Sequence, residues 1–408
     1  MNNTELIPHL FRTEYRKIVS VLCKRFGFEQ IEIAEDIASE TFLTAYQVWS
    51  LNSIPPNPVA WLYNVAKNKA KNQLQRNHLF NSKIAAELKN NLVVTEVEID
   101  LSPKNINDSQ LQMMFAICHP SIPAEAQIGL SLRILCGFGI EEIADAFLSN
   151  KETINKRLFR AKEKLRDEKI KIEFPHETEI NKRLETVLIT IYLLFTEGYY
   201  SVSQNTLIRK DLCFEAIRLC NMLVENEATN KPQVNALLSL MYFHASRFDA
   251  RIDKNGEPVL YEEQNTNLWD TDLISKGAYF LNLSAIGNKI SKYHLEAAIA
   301  YYNTQKEDTK QKWENILQLY NQLLQLEYSP IAALNRTFAL SRANSKEEAI
   351  HEAEKLKLTT NHFYFMLLGE LYTTIDTKKA KLNFNKALVL AKTTSDKKAI
   401  QNKISKLG

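Results

Sequence analysis

The residues best placed to do chemistry lie between Ile140 and Leu165. Nine lysines and arginines fall in 151–171 (151, 156, 157, 160, 162, 164, 166, 169 and 171) against four acids, a local balance of +5. Glu142-Ile143-Ala144-Asp145-Ala146-Phe147 reads as a short first helix, with Ala144 small enough for a close helix contact. Ser149 with Glu152 fits a capping box that starts a second helix. In that helix Ile154, Leu158, Ala161 and Leu165 recur at i, i+4, i+7 and i+11, an inner stripe. Its outer face then carries short polar side chains first and cations after them. A helix that enters a major groove needs polar groups for base edges near its N-terminus and positive charge for phosphates. Lys151, Thr153, Asn155 and Lys156 suit the first task, and Arg157, Arg160 and Lys164 the second.

A second charge pattern sits near the N-terminus. Residues 29–40 hold five acids (Glu29, Glu32, Glu35, Asp36, Glu40) and no lysine or arginine, whereas 61–76 hold four cations (Lys67, Lys69, Lys71, Arg76) and no acid. Trp61, Tyr63, Asn64, Asn68, Asn72 and Gln73 are interleaved with those cations. Amides, cations and aromatics together can hold phosphates and engage unpaired bases. An acidic segment repels nucleic acid and suits a basic protein partner, or it pairs with the basic helix beside it.

A third concentration, Glu197, Tyr199, Arg209, Asp211, Arg247, Trp269 and Asp270, lies in 197–272. Ion pairs tying helices together are the plainer reading. A pocket for a peptide or small-molecule regulator is the sharper one. Nucleophile–base, metal-ligand and phosphate-loop signatures are missing, so no enzyme activity, cofactor or metal is expected. The five cysteines (Cys23, Cys118, Cys136, Cys213, Cys220) form no CxxC pair and read as buried small apolar residues in a reducing cytoplasm.

The elements that must position these groups are helical. With 10 Gly and 11 Pro in 408 residues and long amphipathic stretches, an all-α fold is expected. Residues 1–76 form one helical bundle, with Ile54-Pro55-Pro56-Asn57-Pro58 launching the helix that begins near Trp61. Residues 77–110 read as a linker, 111–172 as the helix-turn-helix unit, and 180–408 as helical hairpins. In the last hundred residues Ile316…Tyr320…Leu323, Ala349…Ala353…Leu356 and Ala380…Phe384…Ala387 share one pattern. Their starts are 33 and 31 residues apart, near the 34-residue tetratricopeptide period. A signal peptide and any apolar run of membrane-spanning length are missing, so a cytoplasmic protein with no membrane partner is expected.

Asp36-Ile37-Ala38-Ser39-Glu40-Thr41-Phe42 resembles the D-x-x-Q-E-T-F segment of region 2 in extracytoplasmic-function sigma factors of the sigma-70 family. Trp61-Leu62-Tyr63-Asn64-Val65-Ala66-Lys67-Asn68 resembles that family's W-L-x-x-I-A-x-N segment, and Ile140–Leu165 its region 4. Cys118-His119-Pro120, Glu197-Gly198-Tyr199, Leu268-Trp269-Asp270 and 329–336 resemble a subgroup with a C-terminal tetratricopeptide-like extension. The resemblance implies a promoter-specificity subunit of RNA polymerase. Asp36, Glu40, Thr41 and Phe42 would dock on the clamp helices of the core enzyme. Asn52, Ser53, Trp61, Asn64, Lys67, Asn68, Lys71, Asn72 and Arg76 would engage the −10 element. Lys151 through Lys164 would read the −35 element, with region 4 near the polymerase flap. The extension would influence activity. Two other readings stand beside it: a helix-turn-helix regulator with a helical sensor domain, and a tetratricopeptide adaptor with no DNA role.

Overall fold

The computed structural model describes residues 3–85, 99–147, 149–199, 209–253, 259, 261–391 and 393–407. It is an all-α protein, with no strand among the described residues. The chain divides into two compact units, Met1–Leu194 and Phe195–Gly408.

The first unit opens with α1 (Asn3–Phe26), α2 (Ile31–Leu51) and α3 (Pro58–Ala85). Helix α2 buries Ile31, Ala34, Ile37, Ala38, Thr41, Phe42, Ala45 and Trp49. That stripe of three- and four-residue steps is what a helix needs to cover one face of a core. It packs on α1, whose Tyr15, Ile18, Val19, Leu22 and Cys23 are buried in turn. The span 77–110 expected as a linker begins and ends in helix: α3 runs on to Ala85, and α4 occupies Pro103–Ile117. Helix α4 lies against α1, where Lys24 Nζ donates to Asn105 Oδ1 at 3.2 Å. The 86–98 part of that span lies outside the described residues.

Next come α5 (Ala124–Leu130), α6 (Ile140–Ala146), α7 (Lys151–Asp167) and α8 (Glu177–Tyr199). Residues 131–135 make a wider turn in which Cys136 N–H bonds Ser131 C=O, an i→i−5 closure of the π type. A β-carbon on Gly129 would lie 2.9 Å from Leu158 Cδ2, so glycine lets α7 close onto α5. Helix α8 continues past Leu194, so the boundary between units falls within it and not between residues 172 and 180.

The second unit contains α9 (Lys210–Glu225), α10 (Pro232–Ala245), α11 (Thr271–Ser284), α12 (Lys292–Asn303), α13 (Lys310–Leu326), α14 (Pro330–Ala343), α15 (Lys346–Leu356), α16 (His362–Tyr372), α17 (Thr377–Leu390) and α18 (Thr394–Ser405). From α12 onward each helix packs against the next, so the chain runs up and down. Ile316, Leu323, Ala349, Ala353, Ala380, Phe384 and Ala387, the buried members of the three sequence repeats, join one apolar core. They sit at corresponding places on α13, α15 and α17. Gly369 makes the tightest approach in this core: a β-carbon there would stand 2.6 Å from the Phe384 ring.

Candidate nucleic-acid interface

Helix α7 turns one face inward through Ile154, Leu158, Ala161 and Leu165, as its periodicity requires. Its N-cap differs from expectation. Asn150, not Ser149, accepts the Thr153 N–H, at 2.8 Å. Both residue types cap well, and the extended backbone of Asn150 selects it. Glu152 is exposed, and no capping box forms.

The outward face of α7 presents Lys151, Thr153, Asn155, Lys156 and Arg160, all exposed. The cations are not equally available. Lys151 pairs with Glu141, and Lys164 with Glu168 at 2.7 Å one turn on. That pairing raises the Lys164 ammonium above its ordinary range. Arg157 is half-buried, its guanidinium 5.4 Å from the centre of the Phe147 ring. Among the described residues Lys156 and Arg160 make no ion pair, which leaves them the most available cations on this face. Phe159 is 57% exposed between them, an aromatic that charge counting overlooks.

Helix α3 offers a second polar face. Asn64, Asn68, Lys71, Asn72 and Arg76 are exposed, four- and three-residue steps along one side. Lys67 is half-buried, and so is Trp61, whose ring lies 5.3 Å from that of Trp49. Trp49 is buried, so the contact fixes the first turn of α3 on α2. Two residues further on, Tyr63 donates its hydroxyl to the buried Glu14 carboxylate at 2.5 Å, and burial together with that bond pushes the phenol's pKa up. Asn52 and Ser53 are exposed in the loop between α2 and α3. A groove of about 260 Å³ between the two helices is lined by Ile33, Asp36, Ile37 and Glu40 of α2 and Lys69, Asn72, Gln73 and Arg76 of α3.

The acidic helix α2 corrects two sequence assignments. Asp36 and Glu40 are exposed, but Thr41 is fully buried and donates to Ile37 C=O at 2.7 Å. Phe42 is also buried, its ring 5.1 Å from that of Phe11. Both are core residues and have no surface to give a partner. The outward face continues instead through Leu43 and Tyr46, which are 56% and 62% exposed. They follow Glu40 at three and six residues, a phase the sequence already contains. The other acids of α2 are engaged within the unit: Glu35 by Lys162 at 2.6 Å and Arg133 at 3.4 Å, Glu32 by Arg166 at 3.2 Å. Glu40 meets Lys69 of α3 at 3.0 Å. Of the acidic segment, Glu40 thus pairs with the basic helix beside it, while Glu32 and Glu35 pair with cations further along the chain.

The seven residues singled out in the second unit fall into local packing clusters. Tyr199 Oη lies 3.0 Å from His244 Nδ1, with Arg251 4.0 Å from the centre of the Tyr199 ring. Burial holds His244 down to about 3. Arg247 stands over Tyr261 and Trp269 and donates to Gln264 Oε1 at 2.9 Å. Asp270 caps α11 by accepting from Asp272 N–H and Leu273 N–H. Arg209 pairs with Asp211 at 3.0 Å, and burial raises the carboxyl pKa of Glu197. All five cysteines are buried and unpaired with one another, and no group of metal-ligating side chains converges among the described residues. No described helix is long and apolar enough to cross a membrane.

Comparison with known proteins now bears on these faces. Residues 10–79, which take in most of α1, all of α2 and most of α3, match the model of sigma-70 region 2. The chain is also similar to the ECF RNA polymerase sigma-E factor of Haemophilus influenzae, 32% identical over 135 residues that cover 31% of this chain and 70% of that protein. The chain belongs to the sigma-70 family. The whole architecture is shared more widely than that N-terminal part. An uncharacterized protein of Rhizobium meliloti (strain 1021) is 31% identical over 386 residues, 93% of this chain and 91% of that one. Residues 183–285 match a family of unknown function, DUF6596. No solved structure matches the chain.

Proposed function

We propose that this sigma-70 family chain is an extracytoplasmic-function type sigma factor that brings core RNA polymerase to promoters. The observation that carries the reading is the division of labour between two adjoining helices in the region 2 segment. Helix α2 exposes acid and apolar groups (Asp36, Glu40, Leu43, Tyr46), which suit a basic protein surface. Helix α3 exposes amides and cations (Asn64, Asn68, Lys71, Asn72, Arg76), which suit DNA. On this reading the α3 face, with Trp61, Lys67 and the Asn52–Ser53 loop, engages the −10 element. The α7 face, from Lys151 to Lys164, reads the −35 element in the major groove. The protein works in the cytoplasm without a cofactor and catalyses no reaction of its own. The second unit, tetratricopeptide-like in its hairpins, modulates this activity.

An independent helix-turn-helix regulator accounts for α7 alone and leaves the exposed α2 face without a use. Affinity for core polymerase separates the two. With a dye on the full chain, core enzyme titrated in at low salt is expected to saturate binding, and Tyr46→Glu to weaken it at least tenfold. Wild type that binds promoter DNA but never core enzyme contradicts the proposal.

A further inference from the structure

The arrangement just described conflicts with the task assigned to it. The −35 and −10 elements, by their names, lie roughly 25 base pairs apart, about 85 Å of B-form DNA at 3.4 Å per pair. Helix α7 has 17 residues, so it is about 25 Å long at 1.5 Å per residue. Its Lys162 is bonded to Glu35 on α2, and α2 packs directly on α3. The two DNA-binding faces are therefore held within roughly two helix lengths of each other, about 50 Å, well short of that span. One of these contacts has to open before both elements can be bound.

We propose that Glu35 is the centre of an ionic latch that keeps the region 2 and region 4 helices closed against each other. This rests on the sigma-factor reading above, whose geometry sets the distance to be spanned. Three features make the contact a built one. Glu35 and Lys162 side chains are only 14% and 12% exposed, unlike a surface ion pair. Arg133 reaches the other Glu35 oxygen, Oε1 against Oε2 for Lys162, so both are occupied. Arg133 is placed there by the π-type turn at 131–135 and also donates to Phe138 C=O at 3.1 Å. Arg166, one turn beyond Lys162, extends the contact to Glu32. Lys162 and Arg166 follow Asn155 at about two and three turns along the same side of α7, so the latch grips the C-terminal half of the helix whose first turns carry the reading residues. An opposing basic surface that competes for Glu32 and Glu35, neighbours of the exposed Asp36, would release it.

The test uses the full chain with spin labels on Gln47→Cys and Glu152→Cys, both exposed positions. The five native cysteines are buried, so labelling is selective. Wild type is expected to give a single short distance. Glu35→Gln and Lys162→Ala are expected to raise the long-distance population by about five- to tenfold, and Lys162→Arg to keep the short one. Salt near 1 M, where screening shrinks to a few ångströms, is expected to act in the same direction. Melting curves run beside them; should Glu35→Gln unfold, Lys162→Ala against Lys162→Arg still decides. An unchanged short distance in the folded variants overturns the latch. Failure of wild type to bind core polymerase would instead overturn the sigma-factor reading, and the distance measurement would stand apart from it.

Discussion

The unequal pairing of the α7 cations makes a quantitative prediction about salt. Each phosphate contact contributes about 0.9 to the slope of log K against log salt. Between 50 and 200 mM that is about a 3.5-fold loss of affinity per contact. Lys156 and Arg160 are exposed and make no ion pair among the described residues, so each can make a full contact. Lys164 must give up Glu168 at 2.7 Å, and Lys151 must give up Glu141, before either can do the same. Giving up an exposed pair of that kind offsets part of what the new contact gains. Arg160→Ala and Lys156→Ala are therefore expected to flatten the slope by about 0.9 each. Lys151→Ala and Lys164→Ala are expected to change it by less than half as much. Fluorescence anisotropy of a labelled promoter duplex with the full chain and core polymerase, titrated at four salt concentrations, measures it. Equal slope changes for Arg160→Ala and Lys164→Ala would refute the reasoning.

Three further outcomes follow from the packing. Phe42→Ala is expected to destabilise the first unit by about 3–5 kcal/mol in denaturant melts, whereas Leu43→Ala leaves stability within about 0.5 kcal/mol and weakens core-polymerase binding. Removing the Asn150 side chain in Asn150→Ala is expected to cost about 1 kcal/mol and to loosen the first turn of α7, seen as faster amide exchange at Thr153. His244 has a folded pKa of about 3, depressed by burial from the ordinary value of 6.5. The unfolded chain binds that proton first, so stability from His244 is full above about 6.5 and falls as pH drops toward 3. The decline approaches about 1.4 kcal/mol per pH unit and should flatten in His244→Gln, as read from pH-dependent melts.

Much of the site was legible because helical periodicity separates inner from outer faces. The inner stripe of α7, the exposed amides of α3 and the repeat cores of α13, α15 and α17 all lie where that spacing puts them. Misplaced residues share a physical cause. Ser149 and Asn150 are both good caps one residue apart, and only backbone conformation chooses between them. Thr41 and Phe42 share a motif with the exposed Asp36, Ser39 and Glu40, so the motif alone does not tell surface from core. Leu43 and Tyr46 carry no charge to draw attention, although the phase of Asp36 and Glu40 includes them. Lys162 and Arg166 look like phosphate ligands in any charge count. Their partners, 127 and 134 residues away, are fixed only by tertiary packing.

Promoter-directed initiation tests the central claim most directly. Purified full chain is added to core polymerase and a library of promoter templates, and transcript start sites are sequenced. The account predicts starts at a defined subset of templates, lost in an Asn64→Ala, Asn68→Ala double variant that still binds core enzyme. Transcripts no different from those of core enzyme alone, with wild type and with a chain truncated after residue 180, would contradict it.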